Sequence, residues 1–362
     1  MKKLKLKKKA LFIIILLPLL LVLLLFTSIY FYFTSPVDKK DDTIKQIIIE
    51  EGTSTSQIAE KLKDSKIIKN ERVFRQFLKL KKADNIYAAS YYFKSSMTLN
   101  EVIDVLKQGG HNLNEIAITF REGINVLSLA NIIEENTSNT KEDVFNTLKD
   151  EGYIDSLIDK YWFLTDDIKN KDIYYPLEGY LFPNTYFFAS YDVDVKDIFD
   201  AMLDEMDKVL TKYKSDIEKN NSSIHKLLTL ASIIELEGID KSSRKDIASV
   251  FYNRLNSNMS LGSDVTTYYA FKVDINERDL YQYEIDSDNP YNTRNRKMNG
   301  KLPVGPISLP SKESIEAAIY PSKTNYYYFV ADKNNKVYFT KTFEEHEKVI
   351  SKLQDEGLWL EW

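Results

Sequence analysis

Two carboxylates stand two positions apart in the run His225-Lys-Leu-Leu-Thr-Leu-Ala-Ser-Ile-Ile-Glu-Leu-Glu-Gly-Ile-Asp240, at Glu235 and Glu237. The run reads as a helix closed at Gly238. With Leu227 at the origin of a helical wheel, Ala231 falls at about 40°, Leu228 at about 100° and Glu235 at about 80°, inside the apolar arc. A carboxyl held there loses hydration, which disfavours its charged form and raises its pKa. A general acid working near neutral pH needs that property. Glu237 falls near 280°, roughly between Ile233 and Leu230, so the wheel flags both carboxylates and does not choose. An ion pair with Arg244, Lys241 or Arg254 would explain a buried glutamate as structure alone.

Other chemistries have few residues to work with. There is no cysteine among the 362 residues, which excludes a disulfide framework, a thiolate nucleophile and thiolate-held metals. The three histidines, His111, His225 and His346, leave little from which to build a multi-histidine metal site or a Ser-His-Asp triad. No metal or cofactor is expected. The segment Tyr174-Tyr-Pro-Leu-Glu-Gly-Tyr-Leu-Phe-Pro-Asn-Thr-Tyr-Phe-Phe188 is rich in aromatics and broken by two prolines. Aromatic walls interleaved with Glu178, Asn184 and Thr185 would suit the C–H faces of sugars, and an aromatic core corner would look the same.

The elements that would position these residues follow from periodicity and caps. Ile44–Ile49 reads as a strand, with helices from Thr55 and over Glu71–Leu80, and a strand at Tyr91–Phe93. Thr98-Leu-Asn-Glu101 resembles a capping box opening a helix that Gly109-Gly110 closes. Ile118-Thr-Phe-Arg-Glu-Gly123 repeats, 71 positions later, the strand, Glu-Gly turn and helix order around Gly52. Two copies are too few for a solenoid. Beyond Asp240 come an amphipathic helix over Asp246–Leu255, loops at Leu261–Asp264 and Asn289–Thr293, a helix from Ser311, a hairpin over Tyr326–Phe339 and a last helix near Phe343.

The net charge is −5, yet six lysines precede Ala10, so the remaining residues carry −11. An acidic body argues against nucleic acid as a partner. Residues 10–33 hold no charge and would span about 36 Å as a helix, enough to cross a bilayer. The expectation is a single transmembrane helix with residues 1–9 inside the cell and everything after about Ser35 outside; a cleaved secretory signal is the alternative.

Six ordered stretches together resemble the endolytic murein transglycosylases, the MltG or YceG-like family. They are Leu177–Thr185, Ala231–Glu235, Ala248–Leu255, Pro290–Thr293, Leu302–Ile307 and Tyr328–Asp332. Val265, Val304 and Leu236 depart from the residues usual in that family. The resemblance implies an α+β chain: a cytoplasmic tail (1–9), a single transmembrane helix (10–33), a linker (34–43), a small LysM-like subdomain (44–112), a connecting segment (113–170) and a larger mixed α+β catalytic domain (171–362). It implies a cell-membrane lyase with an extracytoplasmic active site. That enzyme would cut the β-1,4 bond between N-acetylmuramic acid and N-acetylglucosamine in peptidoglycan without water, leave 1,6-anhydro ends and terminate nascent strands. Cell-wall synthases and elongation or division proteins are the implied partners.

By the same resemblance Glu235 is the catalytic acid, and Glu178, Tyr180, Phe182, Asp264, Tyr291, Asn292 and Thr293 hold the glycan. One carboxylate would serve first as acid toward the glycosidic oxygen and then as base toward the muramyl C6 hydroxyl. Two other readings stay open: a non-catalytic peptidoglycan-binding scaffold, and a hydrolytic muramidase using Glu237 or Asp264 as a second carboxylate.

Overall fold

Ser54 and Thr98 each accept a hydrogen bond from a backbone N–H three residues on, while Gln57 and Glu101 reach back to the cap. These capping boxes open the helices Thr55–Asp64 (α1) and Leu99–Gln108 (α3). Between them lies Glu71–Leu80 (α2), capped by Asn70. Strand Ile44–Ile49 (β1) pairs antiparallel with Ala89–Lys94 (β2), Ile44 opposite Lys94 and Ile49 opposite Ala89. Ile58, Leu62, Phe74, Leu78, Tyr91, Phe93, Val102 and Leu106 fill the core between this ribbon and the helices. Gly110 passes so close to Ala89 that a side-chain carbon there would lie 2.4 Å from Ala89 Cβ.

This computed structural model describes Leu24, Leu25 and residues 27–83, 86–110, 115–219, 223–238 and 242–359. The chain divides into two compact units, residues 1–115 and 116–362.

The expected membrane-spanning helix is corrected. Among the described residues no helix is long and apolar enough to cross a membrane. Of positions 10–33 only Leu24, Leu25 and 27–33 are described; they are helical, and the helix ends at Thr34 before Pro36. Lys69 Nζ donates to Tyr32 O at 2.9 Å, and the Tyr30 and Phe77 rings lie 5.7 Å apart, so the stretch packs on the first unit. The basic tail 1–9 and residues 10–23 lie outside the described residues. For the first unit the structure gives strand, two helices, strand and helix; the LysM-like label rests on resemblance alone, and no geometry here adds a glycan site to it.

In the second unit, Ile116–Thr119 (β3) pairs antiparallel with Thr185–Phe188 (β4), and Tyr328–Ala331 (β5) with Val337–Thr340 (β6). Helices Val126–Asn136 (α4), Lys141–Lys149 (α5), Glu151–Lys160 (α6), Val195–Thr211 (α7) and Lys214–Lys219 (α8) precede the helix that matters most, Ile224–Glu237 (α9). Leu227 to Ile234 of α9 are all buried, so it is enclosed on every side and forms the centre of the unit. Around it stand Arg244–Asn256 (α10), Asp264–Phe271 (α11), Gln282–Ile285 (α12), Lys312–Ile319 (α13) and Phe343–Asp355 (α14).

The 71-residue repeat has a structural counterpart. Gly52 and Gly123 adopt φ of +81° and +78°, Ser54 and Asn125 are N-caps, and the following helices begin at Thr55 and Val126. Glycine is favoured in both turns because a side chain strains that backbone.

Candidate active site

The two carboxylates of α9 meet different surroundings. Glu235 is locked in. Its side chain is 5% exposed, and Oε1 accepts from Arg244 Nη2 at 2.8 Å. Its Oε2 accepts from the Ser311 N–H at 2.9 Å and from the Ser311 hydroxyl. Arg244, 8% exposed, also donates through Nη1 to Ser311 Oγ at 2.6 Å. Ser311 caps α13, so this knot ties the ends of three helices together. Gly238 makes room for it: a side-chain carbon there would lie 2.8 Å from Arg244 Cγ. The expectation of an acid held only by apolar neighbours is therefore corrected for Glu235, whose two oxygens are both taken by donors.

Glu237 is different. Its Oε1 accepts from the Ser263 hydroxyl at 2.6 Å. Loss of hydration raises its pKa above the ordinary carboxylate value; the Asp264 charge adds to the shift, and the Ser263 bond and the Arg254 charge oppose it. Ser263 is carried by a loop pinned on both sides. Arg254 donates through Nη1 to Leu261 O at 2.5 Å, the Gly262 N–H donates to Thr293 O at 3.2 Å, and the Ser263 N–H donates to Thr293 Oγ1 at 3.1 Å. Gly262, at φ +59°, lets the chain pass Arg254.

The predicted glycan-holding residues separate into two groups. Asp264 is exposed and paired with Arg294, and Phe182 is half-buried. Glu178, Tyr180, Tyr291, Asn292 and Thr293 are at most 1% exposed and sit in the packed interior, where they serve as framework. Tyr180 OH shares a 2.8 Å hydrogen bond with His225 Nδ1. The Tyr291 ring packs between Tyr174 and Tyr269, with centroids 4.8 and 4.9 Å away. Asn292 Nδ2 donates to the Glu284, Ile285 and Ser287 carbonyls and holds that turn. The Tyr174–Phe188 segment is thus mainly a core corner. Gly179, at φ +76°, lies where a side-chain carbon would be 2.3 Å from Pro306 Cβ, which joins this stretch to Leu302–Ile307.

Glu178 accepts from the Val126 N–H at the start of α4 at 3.0 and 3.2 Å and from Tyr269 OH at 3.0 Å. Burial pushes its carboxyl up to about 8, against those opposing hydrogen bonds. The folded protein then binds this proton more tightly than the unfolded chain, whose glutamate titrates near 4.5. The stability linked to it is complete below about 4.5 and is lost as pH rises to about 8. Glu178→Gln should flatten that decline, which would otherwise amount to about 3–5 kcal/mol. Denaturant titrations of both proteins at several pH values measure it; parallel curves would refute the assignment.

A cavity of about 1070 Å³ runs along α10 and Ile319–Thr324, lined by Leu227, Tyr252, Asn253 and Tyr320 among others. None of the predicted site residues lines it. Ser263 and Ser311 were not anticipated. Ser311 had a readable signal as a helix cap, whereas the sequence carries no mark that brings Ser263 to Glu237 across 26 residues.

A family profile described as "YceG-like family" matches residues 47–352. The chain is 41% identical over 318 residues to a Bacillus subtilis (strain 168) protein named endolytic murein transglycosylase, covering 88% of this chain and 87% of that protein. A Streptococcus pneumoniae (strain D39) protein of the same name is 31% identical over 331 residues; the match takes in 87% of this chain and 59% of that longer protein. A Listeria monocytogenes yceG-like protein, solved at 2.6 Å, superposes with a TM-score of 0.61 at 36% identity, over 85% of this chain and 99% of that one.

Proposed function

Because this chain belongs to the YceG-like family, we propose that it is a lytic transglycosylase of bacterial peptidoglycan, acting in the cell envelope through Glu237. The single observation that carries the site is the contrast along α9. Glu235 has both oxygens engaged by Arg244 and Ser311, while Glu237 has, among the described residues, one hydrogen-bond donor and a pKa pushed up by dehydration. The acid role that resemblance gave to Glu235 passes to Glu237.

The protonated Glu237 carboxyl gives its hydrogen to the glycosidic oxygen as the bond to C1 of N-acetylmuramic acid breaks. The muramyl C6 hydroxyl then closes on C1, and its proton returns to the Glu237 carboxylate. No water is consumed, and the enzyme ends in its starting state. One carboxyl suffices because the nucleophile belongs to the sugar, and holding that hydroxyl near C1 supplies much of the rate. Asp264 with Arg294 is the exposed polar pair closest in sequence to the Ser263 loop and is assigned to glycan contact, together with Phe182.

The relatives' name, endolytic murein transglycosylase, supports internal cutting. Cell-wall synthases and elongation or division proteins remain the proposed partners, on the resemblance alone. Size-exclusion chromatography of uncrosslinked glycan strands tests the activity. Internal cutting converts long strands into intermediate lengths; an unchanged distribution would refute the enzyme and favour a scaffold.

A further inference from the structure

We infer that Ser263 is a positioning residue for the acid: its hydroxyl fixes the Glu237 carboxyl and reserves Oε2 as the oxygen that carries the transferable proton. The inference rests on the assignment of Glu237 made above. Among the described residues Ser263 is the sole hydrogen-bond donor to this carboxyl, and it takes Oε1 at 2.6 Å. An oxygen accepting so short a bond is the poorer proton carrier, so the proton resides on its twin.

The serine is itself held rigidly. Its N–H donates to Thr293 Oγ1, its carbonyl accepts from Thr266 Oγ1 at 2.7 Å, and those two threonine hydroxyls share a bond of 2.8 Å. Ser260 Oγ donates to Thr293 O, closing the loop onto the same residue. Three hydroxyl residues, Ser260, Thr266 and Thr293, and one half-buried guanidinium, Arg254, thus converge on the placement of a single Oγ. This explains why Asn292-Thr293 is buried beside the site without facing glycan. Among the described residues the charged groups near the carboxyl are Asp264 from α11, itself paired with Arg294, and Arg254 from α10.

The test uses the full chain with Ser263→Ala and Ser263→Thr. Removal of a hydrogen bond to a charged group should lower kcat about 10- to 100-fold in the alanine variant, with KM little changed. The alkaline limb of its pH–rate profile should move upward, since the lost donor had favoured the ionised form. The threonine variant should restore both. A second readout does not need turnover: carbon-13 NMR of labelled glutamate, with the Glu237 signal identified by its loss in Glu237→Gln, should show a higher titration midpoint in Ser263→Ala than in the parent. An unchanged midpoint, or equal losses in the alanine and threonine variants, would overturn the inference. A parent that cuts no glycan yet shows the shifted midpoint would overturn the assigned activity and leave the positioning intact.

Discussion

Glu237→Gln should lose strand cleavage by about 10²–10⁴-fold while keeping its fold, because the amide can still accept from Ser263 but has no acidic proton to give. The loss should be in kcat, since the substitution leaves the exposed Asp264–Arg294 pair in place to bind glycan. The pH dependence has a definite sign. Activity requires the protonated carboxyl, so it declines as pH rises through a pKa that dehydration has raised. The glutamine variant should show no such limb. A variant with parental rates per folded molecule would remove Glu237 from the chemistry.

The second large effect is on stability. Arg244→Ala leaves Glu235 buried without its cation, and Glu235→Ala leaves the guanidinium buried without its anion. Each should cost about 3–5 kcal/mol, measured by denaturant unfolding. The double variant should lose less than the sum, since the two share one interaction and one contact with Ser311. Cleavage per folded molecule should stay near the parent in Glu235→Ala. A stable but inactive Glu235→Ala protein would return the acid role to Glu235.

These outcomes separate two glutamates that the helical wheel could not. A wheel chooses a face only when one face is polar, and Leu227 to Ile234 are buried all round α9. The partners that distinguish them arrive from distant sequence: Ser311 lies 76 residues beyond Glu235, and Ser263 lies 26 beyond Glu237. Local order was far more legible. The capping box at Thr98 and the helix Glu71–Leu80 depend on neighbours within four residues, and they stand where the local sequence put them. The pairing of β3 with β4 joins Ile116 to Phe188 and has no local signature.

The aromatic stretch around Tyr180 could read as a sugar-lined groove or as a core corner, and most of it supports α4, α9 and the Pro306 turn, because a ring can bury as readily as it can bind. Hydropathy of residues 10–33 suggested a membrane span, whereas among the described residues no helix is long and apolar enough to cross a membrane.

Mass spectrometry of the new chain ends made from uncrosslinked glycan tests the central claim most directly. Transfer to the sugar's own C6 hydroxyl predicts 1,6-anhydro ends. Reducing ends, heavier by one water, would contradict it and point to a hydrolase that uses a second carboxylate.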